Sequence, residues 1–161
     1  MDQSYHKIKR TAVLSAVLCI LIVALVYTPI VIFIAQPTVA PIVRKQRVVH
    51  LVERNYDAIM EACENEDLAR LVAIKGIHEV DVVDGYVIVC CQRYGIVSSS
   101  QEYGFYYSRD NVPAAVFDGQ IIAGPSRLVQ KGEGYEYIDS RYNIFYTEHI
   151  IGNLYFYKAS F

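Results

Sequence analysis

The stretch IHEVDVVDGYVIVCC, residues 77–91, decides the fold. Ile77 to Val83 and Tyr86 to Cys91 are rich in valine and isoleucine, with Asp84-Gly85 between them. β-Branched side chains pack well on a pleated surface. Asp-Gly suits a two-residue type I′ turn, in which both central residues take positive φ. The stretch therefore predicts a tight antiparallel hairpin.

Downstream the same signals recur. Tyr103 to Ser108 and Ala114 to Phe117 predict a second hairpin across Arg109 to Pro113. Gln120 to Ala123 and Leu128 to Gln130, parted by Gly124-Pro125, and Tyr135 to Ile138 are shorter strand candidates. Tyr142 to Ile150 and Leu154 to Phe161, joined by Ile151-Gly152-Asn153, predict a last hairpin.

Upstream the period changes. Val48, Val49, Val52, Tyr56, Ile59, Met60 and Cys63 recur at helical spacing and form one apolar stripe. Arg47, His50, Glu53, Arg54, Asp57, Glu61 and Glu64 cover the other side, and a short helical stretch follows around Asp67 to Ala73. A helix followed by antiparallel hairpins reads as one α+β domain, residues 42–161. Its amphipathic helix packs on an antiparallel sheet of about five to seven strands.

Further upstream, Thr11 to Ala35 are twenty-five residues without a charge. About 20 apolar residues span a bilayer core as a helix. Residues 1–10 then read as a short basic cytoplasmic tail, 11–35 as a transmembrane helix and 36–41 as a linker containing Pro37 and Pro41. The basic run Lys7, Lys9, Arg10 resembles the start of a secretory signal. The apolar part is too long for one, however, and no small-x-small cleavage site follows, so the segment reads as an uncleaved anchor. Those three cations adjoin the apolar run, whereas Arg44, Lys45, Arg47 and Arg54 lie farther from it. This favours an N-terminus inside and a domain outside the cytoplasm. Arg44, Lys45 and Arg47 also sit at the N-terminal end of the amphipathic helix, against its dipole, where anionic lipid headgroups would compensate them.

Composition limits the function classes. The chain has 161 residues, a net charge of −2 and a hydrophobic fraction of 53%. That excludes a disordered chain, and the balance of charge excludes a general nucleic-acid binder. Residues 66–161 carry eight basic and twelve acidic groups, a net −4 that suits solubility. Four cysteines without a Cys-x-x-Cys pair give no zinc or thioredoxin spacing, and neither metal nor cofactor is expected. Cys90 and Cys91 fall on opposite faces of a strand as small buried hydrophobes, and in a domain outside the cell Cys63 could bridge to whichever of the two faces the helix. His50, His78 and His149 lie on separate elements. Ser98 to Ser100 lack a nucleophile elbow, and Gly132-Glu133-Gly134 lacks the strand–loop–helix context of a phosphate loop. Glu133, Glu136, Asp139 and Glu148 remain as candidates for a carboxylate pair.

Fourteen tyrosines and no tryptophan complete the pattern. Alternation places Tyr155 and Tyr157 on one strand face, opposite Leu154 and Phe156, and puts Tyr103, Phe105 and Tyr107 opposite Tyr106. One helix covers one sheet face only, so Tyr142, Tyr146, Tyr155 and Tyr157 are expected to form an exposed aromatic platform for a partner.

The segments 103–108 (YGFYYS), 146–150 (YTEHI) and 154–161 (LYFYKASF) resemble small membrane-anchored bacterial proteins without an assigned activity. The resemblance implies a bacterial single-pass protein of the cell membrane and supplies no ligand or catalytic residue. The expectation is a membrane-anchored binding protein with an extracytoplasmic domain. Its partners would be the lipid bilayer and another membrane or envelope protein or a cell-wall glycan, with no nucleic acid and no catalysis. The competing readings are a cell-envelope enzyme using carboxylates or a Cys/His pair, and a cytoplasmic domain tethered to the membrane.

Overall fold

The computed structural model describes residues 41–161 except 97–98 and 140–142. The expected tail, transmembrane helix and nearly all of the linker therefore lie outside the described residues, as does Tyr142. Among the described residues no helix is long and apolar enough to cross a membrane.

The apolar stripe forms two helices rather than one. Residues 41–54 are helical (α1), and α2 spans Tyr56–Glu64. The break is at Asn55, with φ −117° and ψ 22°. Its side-chain amide donates to the Leu51 carbonyl at 2.8 Å, and its backbone N–H reaches the same oxygen at 3.2 Å. A short amide side chain that takes a helical carbonyl competes with the backbone ladder. After α2, Asp67 caps α3 (Leu68–Val72) by accepting from the Arg70 N–H at 3.1 Å.

Nine strands follow: β1 (Glu79–Val83), β2 (Tyr86–Ile96), β3 (Ser99–Ser108), β4 (Ala115–Phe117), β5 (Gln120–Ala123), β6 (Val129–Lys131), β7 (Gly134–Ile138), β8 (Ile144–Ile151) and β9 (Leu154–Ser160). Seven build one antiparallel sheet in the order β1-β2-β3-β9-β8-β7-β6, so the domain is α+β as its sequence predicts. The first hairpin closes with Val83 opposite Tyr86, and Asp84 and Gly85 take φ of 46° and 84° as the turn requires.

The second expected hairpin does not form. β3 pairs with β2 on one side and β9 on the other, which leaves it no free edge for β4. β4 pairs with β5 instead, as a separate two-stranded ribbon. The chain between β3 and β4 is held by a side chain: Ala114 N–H donates to the Tyr106 hydroxyl at 2.8 Å.

Two apolar layers result. On one face Val48, Val52, Ile59, Cys63 and Leu71 of the helices pack on Val89, Cys91, Tyr103, Phe105 and Phe156. On the other, Ala114 and Val116 cover Ile88, Tyr106, Tyr155 and Tyr157, while Ala115 and Ala123 of the ribbon join Phe145 and Ala159. The ribbon supplies the cover that the sequence reading did not find. Each fully buried side chain of this size stabilises the fold by about 1.5–3 kcal/mol. Cys91 is the extra residue of a β-bulge, since Cys90 lies opposite Gly104 and Gln92 opposite Tyr103.

Candidate functional site

The helix α1 has a cleft along each flank. Its sheet-facing residues Val48 and Val52 are 1% and 0% exposed, and this side fixes the direction of every other residue on the helix. Lys45, Val49 and Glu53 fall on one flank and Leu51, Arg47 and Arg54 on the other.

The first cleft, about 330 Å³, lies between α1 and the β8–β9 hairpin. Lys45 Nζ reaches both carboxylate oxygens of Glu148 at 2.6 Å, and the Tyr146 hydroxyl donates to the same carboxylate at 2.5 Å. Burial, and then the Glu148 carboxylate it bonds, push the Tyr146 hydroxyl well above its ordinary pKa. Two donors occupy Glu148, one of them its ion-pair partner Lys45, so it is a latch between helix and sheet rather than a free base. Gln46, His50 and His149 line the rest. His149 is occupied by the Gly152 carbonyl at 2.7 Å.

The second cleft, about 370 Å³, lies between α1 and the loop joining α3 to β1. Arg47, His50, Leu51, Arg54 and Asn55 come from the helix side, Ile74 and Lys75 from the loop. No carboxylate lines it.

Arg44, Lys45 and Arg47 were expected to act as one headgroup cluster, and the structure separates them. Arg44 lies over the Tyr94 ring at 3.9 Å and donates to Gln101 at 3.2 Å, while Lys45 is taken by Glu148. Both are half-buried under the helix and only Arg47 is exposed. The wrong-sign charge at the helix N-terminus is thus compensated within the domain by Glu148 and by aromatic faces.

The aromatic platform is corrected too. Tyr155 and Tyr157 are 6% and 1% exposed, because the ribbon and the chain leading to it cover that face. Tyr155 stacks on Tyr106 at 5.2 Å and donates to Asn111, and Tyr157 donates to Glu102 at 2.6 Å. Tyr146 sits on the helix face, half-buried against the core.

Sequence reasoning missed Glu102 and Arg93. Glu102 is 1% exposed, and Arg93 reaches its carboxylate at 2.8 Å and Asp118 in the ribbon turn at 2.9 Å. The available signal was a carboxylate inside an aromatic strand at a position whose alternation turns it to the second face. Gly104, two residues on, leaves room for the Tyr157 ring, which a Cβ there would meet at 2.6 Å.

Nothing assembles from the other candidates. The three described cysteines are free and buried, and burial pushes each thiol up to about 12. That disables them as nucleophiles. Glu136 meets Lys131 at 3.4 Å and Asp139 accepts from Tyr137 at 3.1 Å. Among the described residues no three His, Cys, Asp or Glu are grouped to hold a metal.

No family model, curated protein or solved structure matches the chain.

Proposed function

We propose that the chain is a single-pass membrane-anchored binding protein whose α+β domain docks another membrane or envelope protein, without catalysis of its own. One observation carries the reading. Val129, Ile138 and Ile144 stand on three neighbouring strands, β6, β7 and β8, at 70%, 57% and 38% exposure. Ile138 lies opposite Ile144, and Val129 lies opposite Glu136, two residues from Ile138. The three therefore share one face of the sheet, the face that carries Tyr146. Contiguous exposed apolar side chains mark interaction sites. The three exposed side chains are aliphatic, with Glu136 beside Val129 and the Tyr146 ring half-buried, which favours a protein over a cell-wall glycan. The twenty-five uncharged residues 11–35 support the anchor.

The test is a photo-crosslinking residue at Ile138 in the full chain, irradiated in intact membranes, with Asp110 as control position. A discrete protein adduct at Ile138, absent at Asp110 and lost with Ile144→Asp, is the expected result. Adducts only with lipid, or the same adducts at both positions, reject the reading.

One observation favours the reversed topology, a cytoplasmic tethered domain: three buried thiols stay unbridged. A cysteine replacing exposed Asp110 decides between the two. Labelling by a membrane-impermeant reagent before lysis supports the outside placement, and labelling only after lysis supports the inside one.

A further inference from the structure

We infer that the cleft between α1 and the α3–β1 loop is a binding site for a phosphate group, held by Arg47, Arg54 and Lys75. This goes beyond the docking patch and uses none of its residues.

Arg44 stacks on Tyr94, Arg70 meets Glu61 at 2.8 Å, Arg93 meets Glu102 and Asp118, Arg109 meets Glu66 at 3.0 Å, and Arg127 bonds Tyr137. Of the described arginines only Arg47 and Arg54 have no partner, and both line this cleft. They are seven residues apart on α1, two turns, so they share a flank about 10 Å apart along the axis. Lys75, also unpaired, faces them from the loop. Three cations around one cleft without a carboxylate repel one another, and an anion between them removes that repulsion.

The loop is pressed against α1: Gly76, at φ 104°, stands where a Cβ would meet Leu51 Cδ1 at 2.8 Å. The cleft walls are therefore fixed by packing rather than by the cations themselves. Leu51 and Ile74 add an apolar wall beside the charges. Guanidinium forks from two arginines match the oxygens of a phosphate bidentately, and a lysine adds a point charge. A phosphate ester carrying a small glycerol-like or acyl part fits both the charges and the wall. Its source is either the headgroup of an anionic lipid or a soluble phosphate compound.

The experiment uses the full chain in micelles of an uncharged detergent. Calorimetric titration with inorganic phosphate and with glycerol 3-phosphate, at constant ionic strength, reads the soluble arm. Native mass spectrometry from micelles doped with phosphatidylglycerol reads the lipid arm. Binding in at least one arm is expected, at least tenfold weaker in Arg47→Gln with Arg54→Gln and within twofold of wild type in the charge-matched pair Arg109→Gln with Lys131→Gln. Lys75→Gln, on a different element, is expected to weaken the same arm. Binding of soluble phosphate assigns a soluble compound, and lipid retention without it assigns the headgroup. Absence of binding in both arms, or equal loss in the cleft pair and the control pair, overturns the inference. Arg47 and Arg54 are exposed and bond nothing, so their variants should melt no lower than the wild type. A lowered melting temperature in the cleft pair would contradict the unpaired placement on which the inference rests.

Discussion

Arg93 bonds carboxylates from three places at once: Glu79 on β1, Glu102 on β3 and Asp118 in the ribbon turn. Glu102 is the one that matters for stability, because burial leaves it no water to replace a lost partner. Arg93→Met is expected to cost about 3 kcal/mol, the low end for breaking a buried pair, since 46% of the Arg93 side chain is exposed. Adding Glu102→Gln should restore part of that loss. Urea unfolding of the single and double variants checks both. The thiols give a second prediction. Burial raises Cys63, Cys90 and Cys91 from the ordinary 9.0 to about 12 in the folded chain. Unfolding releases their protons above pH 9, so their contribution is complete below that pH and is lost as the pH rises toward 12. Stability should therefore fall as the pH rises through that window, by at most about 1.4 kcal/mol per pH unit for each of Cys63 and Cys91 and by less for Cys90. A urea midpoint that stays level from pH 9 to 11 would contradict the burial. Cysteines 90 and 91 were legible as opposite-facing hydrophobes, since alternation settles that from sequence. Glu102 was not, because its partner Arg93 belongs to another strand and its burial depends on a ribbon the sequence did not place.

At the scale of elements, the hairpins with their own turn chemistry were legible. Asp84-Gly85 and Ile151-Gly152-Asn153 each fix a register locally, and β1–β2 and β8–β9 form as the pattern predicts. The partner of β4 was not legible. Adjacent strands in sequence pair by default, and nothing local reveals that β9 has already taken the open edge of β3. The break at Asn55 was hidden for a related reason: the apolar period runs straight through it, and only the backbone turn at Asn55, whose side chain bonds the Leu51 carbonyl, separates the two helices. The helix is tied to the sheet by Lys45 and Glu148, whose side chains are 35% and 13% exposed. Such a pair exceeds a fully solvated one, which contributes about 0–1 kcal/mol. A double-mutant cycle with Lys45→Met and Glu148→Gln should return a coupling of about 1 kcal/mol or more. Hydrogen exchange in α1 should quicken in either single variant. Unchanged exchange would mean that Val48 and Val52 alone hold the helix.

For the whole molecule, the tyrosine surplus changes meaning. Density of aromatics was read as a surface, but two covered faces need twice the apolar material of one. Tyr103, Tyr106 and Tyr157 are among the largest fully buried side chains. The seven-stranded sheet places β9 fourth, between β3 and β8. A chain stopped after Asn153 should therefore fail to give a protease-resistant domain, whereas Val129→Ser on the rim strand β6 should leave one intact. Limited proteolysis of the full chain measures both. The position of β9 also sets a timetable for synthesis. Its residues are translated after every other strand, yet they join the two halves of the sheet. Until the ribosome has made Ser160, the nascent domain holds two incomplete sheets with open inner edges. Completion of the sheet therefore waits on β9, and a premature stop a few codons upstream of Leu154 is expected to leave β3 and β8 without their shared neighbour.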